Sequence, residues 1–309
     1  MTTYSNIKFL GKRIVVLLFV VLICSESKAQ DSLGFFDTPT QYIPSRGKTV
    51  AIGLTSAYTI SMVGLYQLWY KDFPRSDFHF FNDNDEWLQV DKAGHVFSAY
   101  YLGTIGIGMM KWTGMSHKKA VWYGGASGWL FLTTIEVFDG FSSQWGFSVG
   151  DMIANTTGSL MAISQELAWK EQRVRVKFSF HQTEYPKYRP DLLGSTFTEQ
   201  LFKDYNGQTY WLSGNISSFQ RPESKFPKWL NIAVGYGAEG MTGANESSDL
   251  PQTERYRQFF ISPDIDLRRI KTNSKALKFT LSVLNFIKIP APTVEFNSKG
   301  PAKFHWLYF

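Results

Sequence analysis

The sequence predicts an α+β protein in which an antiparallel bundle of about four apolar helices precedes a β-rich C-terminal unit. Between Thr49 and Gln165 four uncharged runs recur, separated by charged connections. After about Lys170 the hydrophobic period shifts to two, the spacing of a strand with unlike faces. Composition fits this scheme: the chain is 44% hydrophobic, 17% aromatic and 19% charged, which is too apolar for a disordered tail and ample for a core. A mean hydropathy of -0.18 argues against a multi-span transporter.

Taken in order, the chain opens with an address. Lys8, Lys12 and Arg13 precede the uncharged run 14–25, and Ser27 and Ala29 form a small-x-small site. A secretory signal peptide over residues 1–29 is expected, cleaved after Ala29. The single cysteine, Cys24, follows Ile23 where a lipoprotein signal needs a small residue, so lipidation is not expected. Removing four basic residues and Glu26 lowers the net charge from +6 to +3, too small a surplus to argue for nucleic acid. The expected organisation is then a helical domain over 30–170 and a β-rich extension over 171–309.

The first uncharged run, 49–70, has the length of a membrane span, whereas 96–110, 120–135 and 152–165 suit buried or interfacial helices. Gly124 with Gly128, and Ala154, Gly158 and Ala162, recur four apart and let helix backbones approach closely. In the C-terminal half, Val174, Val176, Phe178 and Phe180 alternate with Arg175, Lys177 and Ser179, which reads as a strand with its apolar face buried. Leu230 to Tyr236 and Phe259 to Leu267 repeat the alternation, with Pro263 marking an edge or bulge. Asn273 or Ser274 is expected to cap a short helix through Leu277, Leu281 and Leu284. Phe304, Trp306 and Tyr308 suggest a final strand, but the strands are too few to close a membrane barrel.

Chemistry-bearing residues concentrate in the helical half. Asp91 and His95 share a helix face at the start of the second run, with Lys92 between them; Glu136 and Asp139 close the third run; Asp151 and Asn155 open the fourth. If successive helices are antiparallel, these seven side chains converge at one acidic end, while Arg46, Lys48, Lys111, Lys118, Lys119, Lys170 and Arg173 gather at the other. That segregation contradicts four inner-membrane spans, because after signal cleavage the basic end would lie outside. Ser148 with Asp151 fits a capping box, and Asp91 could cap the second helix, but capping does not account for Glu136 and Asp139 at a helix C-terminus. The aromatic connection 71–90 is expected to pack over the cluster as a lid.

The motifs Asp91-Lys92-x-x-His95, Glu136 with Asp139, and Ser148-x-x-Asp151-x-x-x-Asn155-x-x-Gly158 resemble the YfiM family of predicted periplasmic lipoproteins, whose function is unknown. More distantly, their order resembles VanZ-like membrane proteins. The likeness covers roughly residues 88–165 and implies a location in the periplasm or outer membrane of a Gram-negative envelope, without supplying a reaction.

No HExxH, GxSxG, GxxxxGK[ST] or GxGxxG motif occurs. Two functions lead, with small-molecule transport or sensing as the remainder. One is a non-catalytic, membrane-associated envelope protein whose partner is membrane lipid or another envelope protein. The other is a metal-dependent enzyme or binder of a lipid or glycan head group, with Asp91, His95, Glu136, Asp139 and Asp151 around a divalent Mn, Mg or Zn ion, or His95 as general base.

Overall fold

The structure is a computed structural model that describes residues 34–71, 73–221, 223–245 and 253–309. The expected signal peptide and Cys24 lie outside the described residues. Residues 38–309 form one compact unit; in the preceding segment, Asp37 closes a turn by accepting the Gly34 N–H.

Four long helices come first: α1 (Pro44–Leu65), α2 (Val90–Trp112), α3 (His117–Gly140) and α4 (Val149–Trp169). The charge-free stretches 96–110, 120–135 and 152–165 fall inside α2, α3 and α4, and the first, 49–70, continues past the end of α1. Helices α2, α3 and α4 pack tightly because glycine removes the side chains between them. A Cβ added to Gly124 would stand 2.3 Å from the Ile107 nitrogen, one on Gly128 2.2 Å from the Ala99 oxygen, and one on Gly158 2.3 Å from the Val96 oxygen. Helix α1 is more peripheral: it buries only Val50 and Met62 and exposes Ile52, Ile60 and Val63, and Tyr58 donates to Thr134 of α3 at 2.8 Å. It runs on through a π turn, Tyr66–Tyr70. No described helix is long and apolar enough to cross a membrane.

Contacts between helix ends fix the antiparallel order. Arg46 donates to the Trp112 carbonyl at 3.1 Å and stacks on its ring, joining the start of α1 to the end of α2. Lys111 and His117, at the end of α2 and the start of α3, both face buried Glu166 near the end of α4.

Six strands follow as an antiparallel meander in sequence order: β1 (Val174–Phe180), β2 (Gln208–Asn215), β3 (Leu230–Glu239), β4 (Tyr256–Ile265), β5 (Ala291–Asn297) and β6 (Lys303–Tyr308). Short helices α5 (Pro190–Leu193), α6 (Phe197–Lys203) and α7 (Lys275–Leu284) lie in the connections. Ser274 caps α7, its hydroxyl accepting the Leu277 N–H at 3.2 Å. The free edge of β1 is met by the segment before β5, where Phe178 donates to Phe286 at 2.8 Å and accepts from Lys288 at 2.9 Å. The β1–β2 end of the sheet leans on the bundle: Val176 joins a core with Tyr100 and Ile163, and the Phe97 ring contacts Phe178 and Tyr210.

The two faces of this sheet are the reverse of the usual arrangement. Lys177, Ser213, Asn231, Ser262, Asp264 and Glu295 are buried, whereas Ile232, Val234, Phe259, Ile261, Phe296 and Phe304 are exposed on the opposite face. The expected burial of the apolar side holds for Val176 and Phe180, which contact helices or loops, but Arg175, Lys177 and Ser179 are buried as well. Burial is tolerable for most of the buried polar groups because they pair with one another, although Arg175 Nε and one terminal nitrogen have no hydrogen-bond partner among the described residues. Lys177 Nζ lies 2.7 Å from Asp264, Ser213 donates to Asp264 at 2.6 Å, and Lys288 donates to Ser262 at 3.0 Å. Trp211, Phe260 and Tyr308 fill the rest of the interior. Tyr308 turns inward because a bulge in β6 shifts its parity from that of Phe304. Pro263 sits inside a central strand, yet beyond Ile261, the last residue of β4 that pairs with β5, so its missing N–H interrupts no ladder there.

Candidate functional site

The acidic end of the bundle is assembled by a backbone feature. Before α2, Trp87, Leu88 and Gln89 have φ of 49°, 50° and 63°, three consecutive non-glycine residues in the left-handed region. Each costs on the order of 1–2 kcal/mol relative to right-handed backbone. The turn is held from several sides. Trp87 donates its N–H to Ala244, Tyr236 donates its hydroxyl to the Leu88 carbonyl, and Arg257 donates to the Gln89 side chain at 2.6 Å. Gln89 is therefore the residue preceding α2, and Asp91 lies in the first turn instead of capping it.

Lys92 occupies the middle of a carboxylate cage. Its ammonium lies 2.7 Å from Asp83, 2.9 Å from Asp91 and 2.9 Å from Asp151, joining the connection before α2 to the starts of α2 and α4. Ser148 caps α4 by accepting the Asp151 N–H at 3.0 Å and donates its own proton to Asp83 at 2.6 Å. The Ser148 N–H in turn donates to Glu136 at 3.2 Å, tying the end of α3 to the start of α4.

Beside this cage His95 stands among acceptors. Its Nδ1 is 3.0 Å from Asn155 Oδ1 and 3.9 Å from Glu136, and its Nε2 is 3.6 Å from Asp151. A proton on Nδ1 satisfies Asn155 and leaves the Nε2 lone pair facing the Asp151 carboxylate. The ligand atoms of His95, Glu136 and Asp151 all lie within 4.8 Å of one another, close enough to converge on one cation. Asp83, Asp91 and Asp151 form a second such group, but there Lys92 supplies the cation. The buried Asn155 amide nitrogen has no hydrogen-bond partner among the described residues.

Electrostatics follow from burial and crowding. Burial, with Asp151 and Asp139 nearby, pushes the Glu136 carboxyl up to about 8. Burial lifts Asp139 to about 6 against the opposing hydrogen bond from Tyr70. Burial also raises Asp91 and Asp151. Burial disfavours the Lys92 charge, but Asp91 and Asp151 outweigh it and hold the ammonium above its usual range.

The structure thus brings Asp91, Lys92, His95, Glu136, Asp151 and Asn155 into direct contact or next to it. Asp139 is at the margin, bound by the Tyr70 hydroxyl at 2.7 Å. Of the five expected metal ligands, His95, Glu136 and Asp151 form one group, Asp91 belongs to the Lys92 cage, and Asp139 is held by Tyr70. Sequence reasoning missed Asp83 and Tyr70 as members of the cluster. The only signal was the pairing of an acidic, aromatic connection with a charged helix start. The described part of that connection packs over the bundle end: Phe78 contacts Phe141 and Phe147, Phe73 contacts Trp145, and the Phe81 N–H donates to Phe147.

Comparison with known proteins falls on this region. No curated protein and no solved structure matches the chain. Residues 77–166 match the model of a family described as "Predicted periplasmic lipoprotein (DUF2279)", a description that supports an exported, envelope location. The matched stretch runs from the connection holding Asp83 through α4 and contains every residue of the Lys92 cage and of the His95 group.

Proposed function

We propose that the protein is a non-catalytic, membrane-associated protein of the cell envelope whose sheet turns its apolar outer face to lipid at the outer membrane. One observation carries this: from β3 to β6 the alternation is apolar outward and polar inward, the pattern of a lipid-facing sheet. In water a half-exposed antiparallel sheet takes the opposite sense. Strands β3 and β4, with ten residues, reach the length of a spanning strand, but β5 with seven and β6 with six do not, so the face as a whole suits immersion in part of a bilayer better than a complete span. Helices α1 and α7 add exposed Ile52, Ile60, Val63, Leu277 and Val283. The YfiM-like motif order and the expected signal peptide agree with export.

Flotation of purified full-length protein with phosphatidylcholine vesicles tests the proposal. Wild type is expected to rise with the vesicles, and Ile232→Glu combined with Ile261→Glu to remain below. Wild type that stays monodisperse without detergent and does not float would point instead to a protein partner for this face.

A second reading concerns the bundle end, where the group of His95, Glu136 and Asp151 is a candidate divalent-cation site. It is favoured by the convergence of their ligand atoms within 4.8 Å, with His95 and Glu136 outside the Lys92 ion pairs and Asp151 shared with that cage. Thermal melts with Mn or Zn and with EDTA decide it. Wild type is expected to gain stability from metal and Glu136→Gln to gain none; indifference of both proteins would leave the cluster a structural one.

A further inference from the structure

We infer that α7 lies in the surface of an anionic phospholipid bilayer, with its apolar side among the acyl chains and the basic side chains around it on the lipid phosphates. This inference rests on the membrane-associated reading above and adds to it a lipid class and the element that recognises it.

The stretch from Leu267 to Leu284 is an excursion between β4 and β5. Its base is closed by buried Asn285, whose side-chain oxygen accepts the Leu267 N–H at 2.8 Å. Beyond that clasp little is covered: every residue of α7 except Leu281 and Ser282 is exposed. The helix is nevertheless amphipathic. At about 100° per residue its apolar residues and Thr280 occupy an arc of about 200°, from Phe279 round to Leu281, and Lys275, Ser282 and Lys278 fill the remainder. A helix that packs on its own protein turns such an arc inward, whereas Ala276, Leu277, Phe279, Val283 and Leu284 face outward here. Apolar surface continues at the root of the excursion, where Trp229, Leu230, Pro263, Ile265, Ile289 and Pro290 line an open hollow of about 260 Å³.

Charge selects the occupant. Between Leu267 and Leu284 there are five basic residues and no acidic one. Arg269 is taken by Glu171 and Asp266. Arg268, Lys271 and Lys278 are exposed, and their side chains make no ion pair or hydrogen bond among the described residues. An acidic protein surface would pair with these cations and leave the apolar arc in water. An apolar groove would cover the arc and leave the cations without partners. An anionic bilayer satisfies both, because the acyl region takes the arc while lysine side chains at its border reach back to the phosphates. A zwitterionic bilayer offers phosphate with a compensating ammonium, so it gains less from the same cations.

The experiment compares flotation of the full chain on vesicles of phosphatidylcholine alone and of phosphatidylcholine mixed with phosphatidylglycerol. Wild type is expected to bind the mixed vesicles more tightly, with the excess shrinking as salt rises. Lys271→Gln with Lys278→Gln is expected to bind mixed vesicles about thirtyfold more weakly and neutral ones as wild type does. Lys271→Arg with Lys278→Arg keeps the charge and is expected to match wild type on both. Leu277→Gln with Val283→Gln, at exposed positions outside the core, is expected to weaken binding to both vesicles. Equal binding of wild type to the two vesicles, or an undiminished affinity of either glutamine pair for mixed vesicles, overturns the inference and leaves the lipid-facing sheet in place. Wild type that floats on mixed vesicles alone would keep α7 as the anchor and sink the reading of the sheet, and failure to float on either sinks both.

Discussion

Lys177 Nζ lies 2.7 Å from Asp264 Oδ2, and neither side chain touches solvent. The carboxylate also accepts from Ser213 and from the Ile289 N–H, so the pair is the centre of the polar interior. Removing one member leaves the other charge buried, at a cost of about 3–5 kcal/mol. Asp264→Ala is therefore expected to lose most of that in equilibrium urea unfolding. Lys177→Met with Asp264→Leu is expected to recover the greater part, and a single change costing less than the double would refute this account.

Glu136 makes the metal-free protein sensitive to pH. Its carboxyl holds its proton up to about 8 in the fold against 4.5 as the ordinary value, because it is buried and faces Asp151, Asp139 and Asp83. Below 4.5 this contribution to stability is complete, and it is lost as pH rises through about 8, since the unfolded chain ionises first. Melting temperature should fall between pH 5 and 8 in wild type and fall less in Glu136→Gln. Asp139, lifted to about 6, adds to the lower part of the same interval.

Close helix packing can be separated from helix propensity by two glycines. Gly124→Ala would set a Cβ 2.3 Å from the Ile107 nitrogen, a backbone atom that cannot swing aside. It is expected to destabilise by about 1–3 kcal/mol or more. Gly108 is exposed on α2 with nothing within 4 Å of an added Cβ. Gly108→Ala is therefore expected to stabilise by about 0.5–1 kcal/mol, and the two variants should move apart in the same thermal melt.

Lys170 ends α4 with φ 57° and ψ 18°, the left-handed conformation that glycine adopts without a Cβ clash. It is exposed, and its N–H closes the helix on Glu166 at 3.1 Å. Lys170→Gly keeps that bond and relieves the backbone, and a gain of about 1 kcal/mol in unfolding free energy is expected. A loss would show that the lysine charge at the helix end outweighs the strain.

The helical half was legible because each charge-free run marks one helix, the first running on into the π turn, and short connections after α2 and α3 force antiparallel order. Asp91, His95, Glu136, Asp151 and Asn155 could thus be placed together before any contact was known, and Ser148 caps α4 as its spacing suggests. Asp83 was not legible, since a connection without periodicity gives no face to which a side chain can be assigned. Trp87, Leu88 and Gln89 oppose local preference, and hydrogen bonds to the Ala244 carbonyl and from Tyr236 and Arg257, far along the chain, hold them. In the sheet, alternation showed that the two faces differ but not which is inside. Lys177 next to Phe178 reads the same either way until Asp264 is seen opposite it.

The seam between Phe178 and Phe286 also orders events in time. The edge of β1, the first strand to leave the ribosome, is completed by residues just before β5, so that edge stays unpaired until most of the sheet's chain exists. The contacts within the bundle are closer in sequence and carry a smaller loop-closure cost. The helices can therefore form while the sheet is still an open ribbon with apolar side chains on one face and polar ones on the other. A chain ending before Phe286 should keep its helical signal while exposing the β1 edge to aggregation.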